Sequence, residues 1–372
     1  MRYFDLMKDR YRFIIVGSGW RSLYYVRIAK ALPQVFELCA MLCRTEEKAA
    51  KMASENGIHT TTSVSECMDY KPDFVVVVVN KASIADVALQ WLQKGFCVLS
   101  ETPAALDTDT LVRLREAEKR GAKLVVCEQY RRYPSLSALL KVAKSGILGE
   151  PGCLNLSVAH EYHGASLMRA FLNIEGFENF SVSAKTYEFP TTETLTRYDS
   201  FKDGRVASKK RTVATFEFES GKVAIYDFDS EQYRSPIRKN TIRLQGVRGE
   251  IIDDKVYYLN DRNDGVVSPI TVKQRMVHTD STNPNLSSFI EIEDIVFEDK
   301  SIYRPPFGLC GLSEDETAIA TMLEKTALYS RGLGDTPYKL DEAIFDAYMA
   351  IMLQRACESK KTEKSDFREL GL

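Results

Sequence analysis

Residues 74–79 read Phe-Val-Val-Val-Val-Val, an apolar run of six residues with no polar interruption. A strand with one wet face alternates in polarity, so a run that does not alternate belongs where both faces are covered, at the centre of a parallel sheet clad by helices. It is far shorter than the roughly 20 residues that cross a bilayer. The expected surroundings are therefore α/β.

From Arg12 to about Tyr130 the pattern agrees. Candidate strands are Phe13–Val16, Glu37–Leu42, Phe74–Val79, Cys97–Leu99 and Leu124–Cys127, and amphipathic stretches such as Leu111–Arg120, with Gly121 placed to end it, lie between them. This is the order of a doubly wound parallel sheet. Beyond Gly149-Glu150-Pro151-Gly152 the texture changes, and Arg211–Leu259 alternates in period two through Val213, Thr215 and Glu217, Lys222–Phe228 and Thr241–Leu244, as an antiparallel sheet does. Glu314–Ala356 returns to helical period with a break at Gly332–Pro337, and the charged tail from Ser359 reads as frayed. A length of 372 residues, at about 150 per domain, gives two or three domains, and the change of texture divides them as 1–130 and 131–372.

Lys and Arg number 50 against 52 Asp and Glu, so no net positive field draws nucleic acid or an anionic membrane, and a small molecule is the expected partner. Met1–Arg12 is too charged for a signal peptide, and eight cysteines without a CxxC pair suit buried thiols in a reducing compartment, which reads as cytoplasmic. Cys39, Cys43 and the four histidines make no zinc spacing, so no metal is expected.

Gly17-Ser18-Gly19-Trp20-Arg21-Ser22 follows the first strand and opens a helix. There the first glycine makes the tight turn, the second admits a pyrophosphate to the backbone, and the helix start supplies N–H groups and a positive dipole end. Ser22 stands where the third glycine is usual. The tip of the second strand, where an acid would bond the ribose diol of NAD, reads Cys43-Arg44-Thr45 instead. Arg44 can fork onto a 2′-phosphate with Thr45 as a hydroxyl donor, so NADP is expected over NAD.

Further along, Val98-Leu99-Ser100-Glu101-Thr102-Pro103 resembles the Glu-Lys-Pro segment of the Gfo/Idh/MocA oxidoreductases, the glucose-fructose oxidoreductase and inositol dehydrogenase family. Ala88–Gly95 resembles the helix before it, Tyr130-Arg131-Arg132-Tyr133-Pro134 the arginine and proline motif after the last Rossmann strand, Lys144–Glu150 the Gly-x-x-Gly crossover, and Gln245–Glu250 the glycine turn of the open sheet. The resemblance implies an N-terminal NAD(P)-binding Rossmann domain and a C-terminal α/β domain with a largely antiparallel open sheet for substrate binding and oligomerisation. It implies cofactor contacts from the loop containing Val79 and Asn80 and from Glu101 and Thr102, and a sugar, polyol or imine substrate.

Two positions depart from the family. Thr102 replaces the lysine that reaches substrate, and aligning His163 with the family's histidine puts Ala159 where an aspartate is usual. His163 is then the retained acid/base, with His160 a competitor for the role and Lys81 a stand-in for the missing lysine. Glu128, Gln129, Tyr130 and Arg131, at the end of the last Rossmann strand, and His160, Tyr162 and Arg169 are expected to orient substrate. The missing lysine and aspartate leave an alternative, a non-catalytic dinucleotide sensor or partner-binding protein of the same fold. Apolar and aromatic residues near Val213–Phe228, exposed on one face of an open sheet, point to a homodimer or homotetramer.

Overall fold

In a computed structural model, which describes residues 10–281 and 283–372, the valine run supplies an inner strand of a six-stranded parallel sheet. The first nine residues, on which the reading of Met1–Arg12 largely rests, lie outside the described residues. The elements are β1 (Tyr11–Val16), α1 (Ser22–Ala31), β2 (Phe36–Leu42), α2 (Glu46–Asn56), β3 (Thr60–Thr61), α3 (Val64–Asp69), β4 (Phe74–Val77), α4 (Ile84–Gln93), β5 (Val98–Ser100), α5 (Thr108–Lys119) and β6 (Leu124–Val126). The strand order is β3-β2-β1-β4-β5-β6. Connections reverse between β1 and β4, which opens a crevice at the carboxyl ends of those strands.

Each residue of β4 is buried, as expected of a strand covered on both faces. Val78 and Val79 fall outside it. Val78 N still donates to the Val16 carbonyl at 2.8 Å, but β1 has turned away at Gly17, so the ladder has no neighbour to continue along. Thr45, Ser63 and Asp107 cap α2, α3 and α5 by accepting a backbone N–H, which starts each helix where a short polar side chain precedes the apolar face.

The second part of the chain forms α6 (Pro134–Ala143), β7 (Pro151–Ser157), α7 (Glu161–Phe171) and a run of strands, β8 (Phe180–Thr192), β9 (Val206–Phe218), β10 (Val223–Asp229), β11 (Thr241–Gly246), β12 (Gly249–Ile252), β13 (Lys255–Leu259), β14 (Gly265–His278), β15 (Ser288–Phe297) and β16 (Lys300–Tyr303). Two helices, α8 (Glu314–Ser330) and α9 (Leu340–Ser359), and a short β17 (Glu363–Lys364) close the chain. The strands form an eleven-stranded sheet in the order β16-β15-β14-β13-β12-β11-β7-β10-β9-β8-β17. It is mostly antiparallel, with β7 and β10 pairing in parallel.

Two corrections to the sequence reading concern this sheet. The aromatic residues of Val213–Phe228 are not an exposed stripe, since Phe216, Phe218, Tyr226 and Phe228 are buried in the core while Ile225 is exposed on the other side. Further exposed apolar side chains lie on β8, β14 and β15, at Tyr187, Phe189, Val267, Val272, Met276 and Ile290. Nor does the tail fray after Ser359. Glu363 and Lys364 pair with Val182 and Ser181 of β8, and the Phe367 ring lies 5.7 Å from Phe345 and 5.4 Å from Phe177.

The chain divides into two units. One takes the residues up to Arg132 together with Cys310–Ile344 and Glu369–Leu372, and the other takes Tyr133–Leu309 and Phe345–Arg368. A single cut at 130/131 therefore misplaces α8, whose periodicity declares a buried face (Ala318, Ile319, Met322, Leu323, Ala327) but not the core that receives it. In the first unit α8 lies against α1, and Arg27 Nε donates to Glu316 Oε1 at 2.5 Å. Among the described residues no helix is long and apolar enough to cross a membrane.

Candidate active site

The glycine turn leaves β1 with Gly17 at φ +115°, a conformation that L side chains avoid, and a Cβ there would sit 2.1 Å from the Val78 carbonyl oxygen. Gly19 differs, for a Cβ on it would meet no heavy atom of the described residues within 4 Å. The first glycine is thus demanded by the turn itself and the second borders open space at the start of α1, which is what a pyrophosphate needs. Ser22 is fully buried and its hydroxyl bonds back within the turn to the Gly19 carbonyl. Ser18 contributes a hydrogen bond toward the buried Cys43 thiol, whose pKa burial raises in spite of that bond. The residues present fit a dinucleotide.

Several other residues expected to touch the cofactor are already engaged. The Arg21 guanidinium is one of them. It donates through Nε to Glu101 Oε1 at 2.9 Å and pairs with Asp315 at the start of α8, so it stitches the turn to the Glu-Thr-Pro segment. Glu101, itself buried, also accepts from the Tyr25 hydroxyl at 2.7 Å. The Thr45 hydroxyl accepts from Lys48 N as the cap of α2, while Arg44 beside it is exposed and makes no ion pair among the described residues. Trp20 stacks edge-on to Tyr24, with centroids 4.9 Å apart. Val79, Asn80 and Lys81 form the loop after β4. Asn80 Oδ1 accepts from Ser83 N at 3.1 Å and so shapes the entry to α4, and Lys81 is exposed in the turn. Thr102 carries no titratable group, and its N–H approaches Glu101 Oε2 at 3.4 Å.

At the tip of β6, Glu128 and Gln129 are each only 3% exposed. Glu128 accepts from Tyr130 N at 3.1 Å, and burial pushes its carboxyl up to about 8 against the opposing pull of Arg131. Gln129 Nε2 donates to Asp315 Oδ1 at 3.2 Å, while its Oε1 is buried without a hydrogen-bond partner among the described residues. Tyr130 is buried, and Arg131 pairs with Glu342 at 2.9 Å and lies over the Tyr338 ring. Asp315 and Glu342 escaped the sequence reading. Ser313-Glu314-Asp315-Glu316 does carry a capping box that marks the start of α8, but it does not reveal where that start docks.

In the second unit the histidines gather at the amino end of α7. The Tyr233 hydroxyl accepts the His160 backbone N–H at 3.0 Å and bonds the ring at Nδ1, while Nε2 lies 2.7 Å from the Tyr162 hydroxyl. For the neutral ring we assign Tyr233 as donor to Nδ1, which leaves the Nε2 proton directed at Tyr162. His163, 5% exposed, packs against both, with centroids 5.0 Å from His160 and 4.5 Å from Tyr162. Glu161 between the histidines has φ +36°, held there as its N–H donates to the Tyr226 hydroxyl at 2.9 Å and that hydroxyl donates to the Ala159 carbonyl at 3.0 Å. Gly164 leaves room for the same ring, since a Cβ would lie 2.8 Å from Tyr226 Cε2. Non-glycine backbone in this region costs about 1–3 kcal/mol and concentrates at functional sites. Nothing in the sequence marked Tyr233 or Tyr226.

Arg169, expected to orient substrate, lies in the interior. It is 1% exposed, bonds Asp346 Oδ1 at 2.7 Å and lies over the Phe345 ring, an internal ion pair. The charge drew attention from the sequence, but its partner on α9 was too far along the chain to be recognised.

Residues 11–129 match the Gfo/Idh/MocA family model, described as an oxidoreductase family with an NAD-binding Rossmann fold. Over these residues the chain is similar to the Gfo/Idh/MocA oxidoreductases. No curated protein sequence matches it. Several solved structures share the fold over nearly the whole chain. An Agrobacterium radiobacter oxidoreductase solved with NAD+, L-tartaric acid and magnesium is 14% identical, with a TM-score of 0.66 over 95% of this chain and 98% of that one. The WlbA dehydrogenase of Bordetella pertussis, solved with NADH and UDP-GlcNAcA, is 15% identical, with a TM-score of 0.62 over 96% and 99%. Apo scyllo-inositol dehydrogenase of Lactobacillus casei is 15% identical, with a TM-score of 0.64 over 96% and 99%. In this chain Glu101 of the Glu-Thr-Pro segment holds Arg21, a structural task that needs no lysine.

Proposed function

We propose that this oxidoreductase moves a hydride between NADP and a carbon of a small sugar, polyol or imine, with His163 giving or taking the accompanying proton. The dinucleotide supplies the hydride acceptor or donor. The chain's part is to seat the pyrophosphate at the start of α1, to meet the 2′-phosphate with Arg44, and to handle the proton. The observation that carries the reading is the cluster in which His160 is bonded at both ring nitrogens and His163 packs against it. An imidazole, with a reference pKa of about 6.5, serves as acid or base near neutrality. His160, tied between two tyrosines, acts by holding that cluster in place. The polyol and nucleotide-sugar chemistry named for two of the structural relatives supports the substrate class. A cytoplasmic homodimer or homotetramer, joined through the exposed apolar residues of β8, β14 and β15, completes the proposal.

The test is a screen of sugars, polyols and imines by nicotinamide absorbance, followed by His163→Ala, His160→Ala and Lys81→Ala at saturating cofactor. His163→Ala should lower turnover by about 10² to 10⁴ with dinucleotide affinity kept. Near-normal turnover in that variant with collapse in Lys81→Ala would move the role to the lysine. Binding of dinucleotide with no turnover of any compound would favour a sensor.

A further inference from the structure

At the amino ends of β4, β5 and β6, the end of the sheet opposite the crevice, lies a cavity of about 640 Å³ built wholly from residues of the first unit. Asp73, Cys97 and Lys123, each the residue just before one of those strands, line it, and the closing turns of α3, α4, α5 and α8 ring it. The volume lies within the range of small-molecule sites, roughly 300–1,000 Å³. Its wall is apolar where α4 and α5 meet, with Leu89, Leu92 and Ala117 each less than a tenth exposed.

The charge on the lining is unbalanced. Among the described residues three cations, Lys71, Arg120 and Lys123, line the cavity with one acid, Asp73. That acid is already spent, for Arg331 donates to both its oxygens at 2.8 Å and Arg12 N adds a third bond at 2.7 Å. Lys123 Nζ reaches only neutral groups, the Tyr329 and Ser330 carbonyls at 3.4 and 3.1 Å. Arg120 has Glu116 at 3.4 Å, a pair in which both side chains are more than half exposed and which therefore holds the guanidinium weakly. Lys71 is exposed and makes no ion pair among the described residues.

Cations near helix ends ordinarily serve the carbonyls there. Lys123 does so for α8, but the ends of α3, α4 and α5 are closed by the backbone. Lys71 N donates to Met68 O at 2.9 Å, Gly95 N to Leu92 O at 2.9 Å and Gly121 N to Glu118 O at 2.8 Å. After α4 and α5 the turn is made by glycines at φ +86° and +92°, as a left-handed turn prefers, whereas after α3 it is made by Lys71 at φ +47°. That conformation is disfavoured for any residue with a Cβ. The turn thus carries a lysine where glycine would be easier, and that lysine lines the cavity.

We infer that this cavity is a second small-molecule site that binds a small organic anion, its apolar body against α4 and α5 and its phosphate or carboxylate head held by Lys71 and Arg120. Lys123, fixed on the end of α8, adds attraction without having to move. The inference stands apart from the dinucleotide reading, since no residue of the glycine turn or of the strand tips at the crevice lines this cavity.

The experiment is a fluorescence titration of the full chain with naphthyl phosphate, naphthoate and the neutral naphthyl methanol. Wild type should bind at least one of the anions, more weakly as sodium chloride is raised, and the neutral compound about tenfold less tightly or worse. Lys71→Gly combined with Arg120→Gln removes both head contacts and places glycine where the left-handed turn favours it, so the fold should survive, as a melting curve checks. The double variant should bind the anions about tenfold more weakly. Arg120→Gln alone, a change on the exposed surface, should give an intermediate loss, and it carries the test if the double variant folds poorly. A preference for naphthyl phosphate assigns a phosphate head, and a preference for naphthoate a carboxylate head. Binding of neither anion, equal binding of the neutral compound, an affinity indifferent to salt, or anion binding unchanged in the folded variants overturns the inference.

Discussion

Ser22 Oγ donates to the Gly19 carbonyl at 2.6 Å. The side chain that replaces the usual third glycine is therefore folded into the turn as one of its own hydrogen bonds. A small donor at that point braces the loop from within, whereas a larger group would push α1 off the sheet. The three positions of the turn accordingly do different work.

Gly17→Ala should break the turn, because a Cβ has no room against the Val78 carbonyl and φ +115° is strained for any side chain. Chemical denaturation should report a loss of about 2–4 kcal/mol, with dinucleotide binding lost alongside. Gly19→Ala meets no atom of the described residues within 4 Å. It should denature within about 0.5 kcal/mol of wild type yet bind dinucleotide at least tenfold more weakly. Equal stability losses in both would show that open space beside Gly19 is not what the position provides.

Arg44 makes no ion pair among the described residues and is exposed, so Arg44→Ala should leave the melting temperature unchanged. It should weaken NADP+ about tenfold or more and NAD+ hardly at all, since only the former offers a phosphate to a guanidinium fork. Fluorescence titration decides it, and an NADP+ affinity indifferent to the substitution would leave Arg44 without a task.

Arg169→Met should lower stability by about 3–5 kcal/mol, because it leaves Asp346 buried without its cation. The double variant Arg169→Met with Asp346→Leu should recover much of that loss, as removing both members of a buried pair often does. A single variant of wild-type stability but poor substrate affinity would return Arg169 to the ligand-contacting set.

Glu128 gives stability a pH dependence with a definite sign. Its folded pKa of about 8 stands above the ordinary glutamate value of about 4.3, so the folded state holds the proton more tightly. The resulting stabilisation is fully present below about pH 4, declines as pH rises, and is lost once pH passes about 8, with a slope of at most about 1.4 kcal/mol per pH unit. Melting curves between pH 5.5 and 8.5 should fall more steeply for wild type than for Glu128→Gln. Parallel curves would show the carboxyl ionised throughout.

Short-range patterns were legible in the chain and long-range pairings were not. The valine run, the strand ends near Val16 and Leu42, and the glycine turn are set by neighbours in sequence, and the structure places them within a residue or two. The partners of Arg21, Arg169 and α8 were hidden for one reason. A charge or an amphipathic face declares that it needs a partner, but Asp315, Asp346 and the face of α1 lie far along the chain, and no local spacing points to them. The tyrosines around His160 were hidden likewise, since Tyr233 reaches the ring only because β10 runs beside β7.

The return of Cys310–Ile344 to the first unit has a consequence for how the protein is made. A ribosome releases the sheet β1–β6 long before it releases α8, and at about 5–20 residues per second the wait is on the order of ten seconds or more. Through that interval nascent Arg27 and Arg21 lack their acidic partners on α8 and the helix surface that α8 covers stays wet. The amino-terminal portion is born first yet finished late, so a nascent chain stalled before residue 310 is a natural client for chaperones.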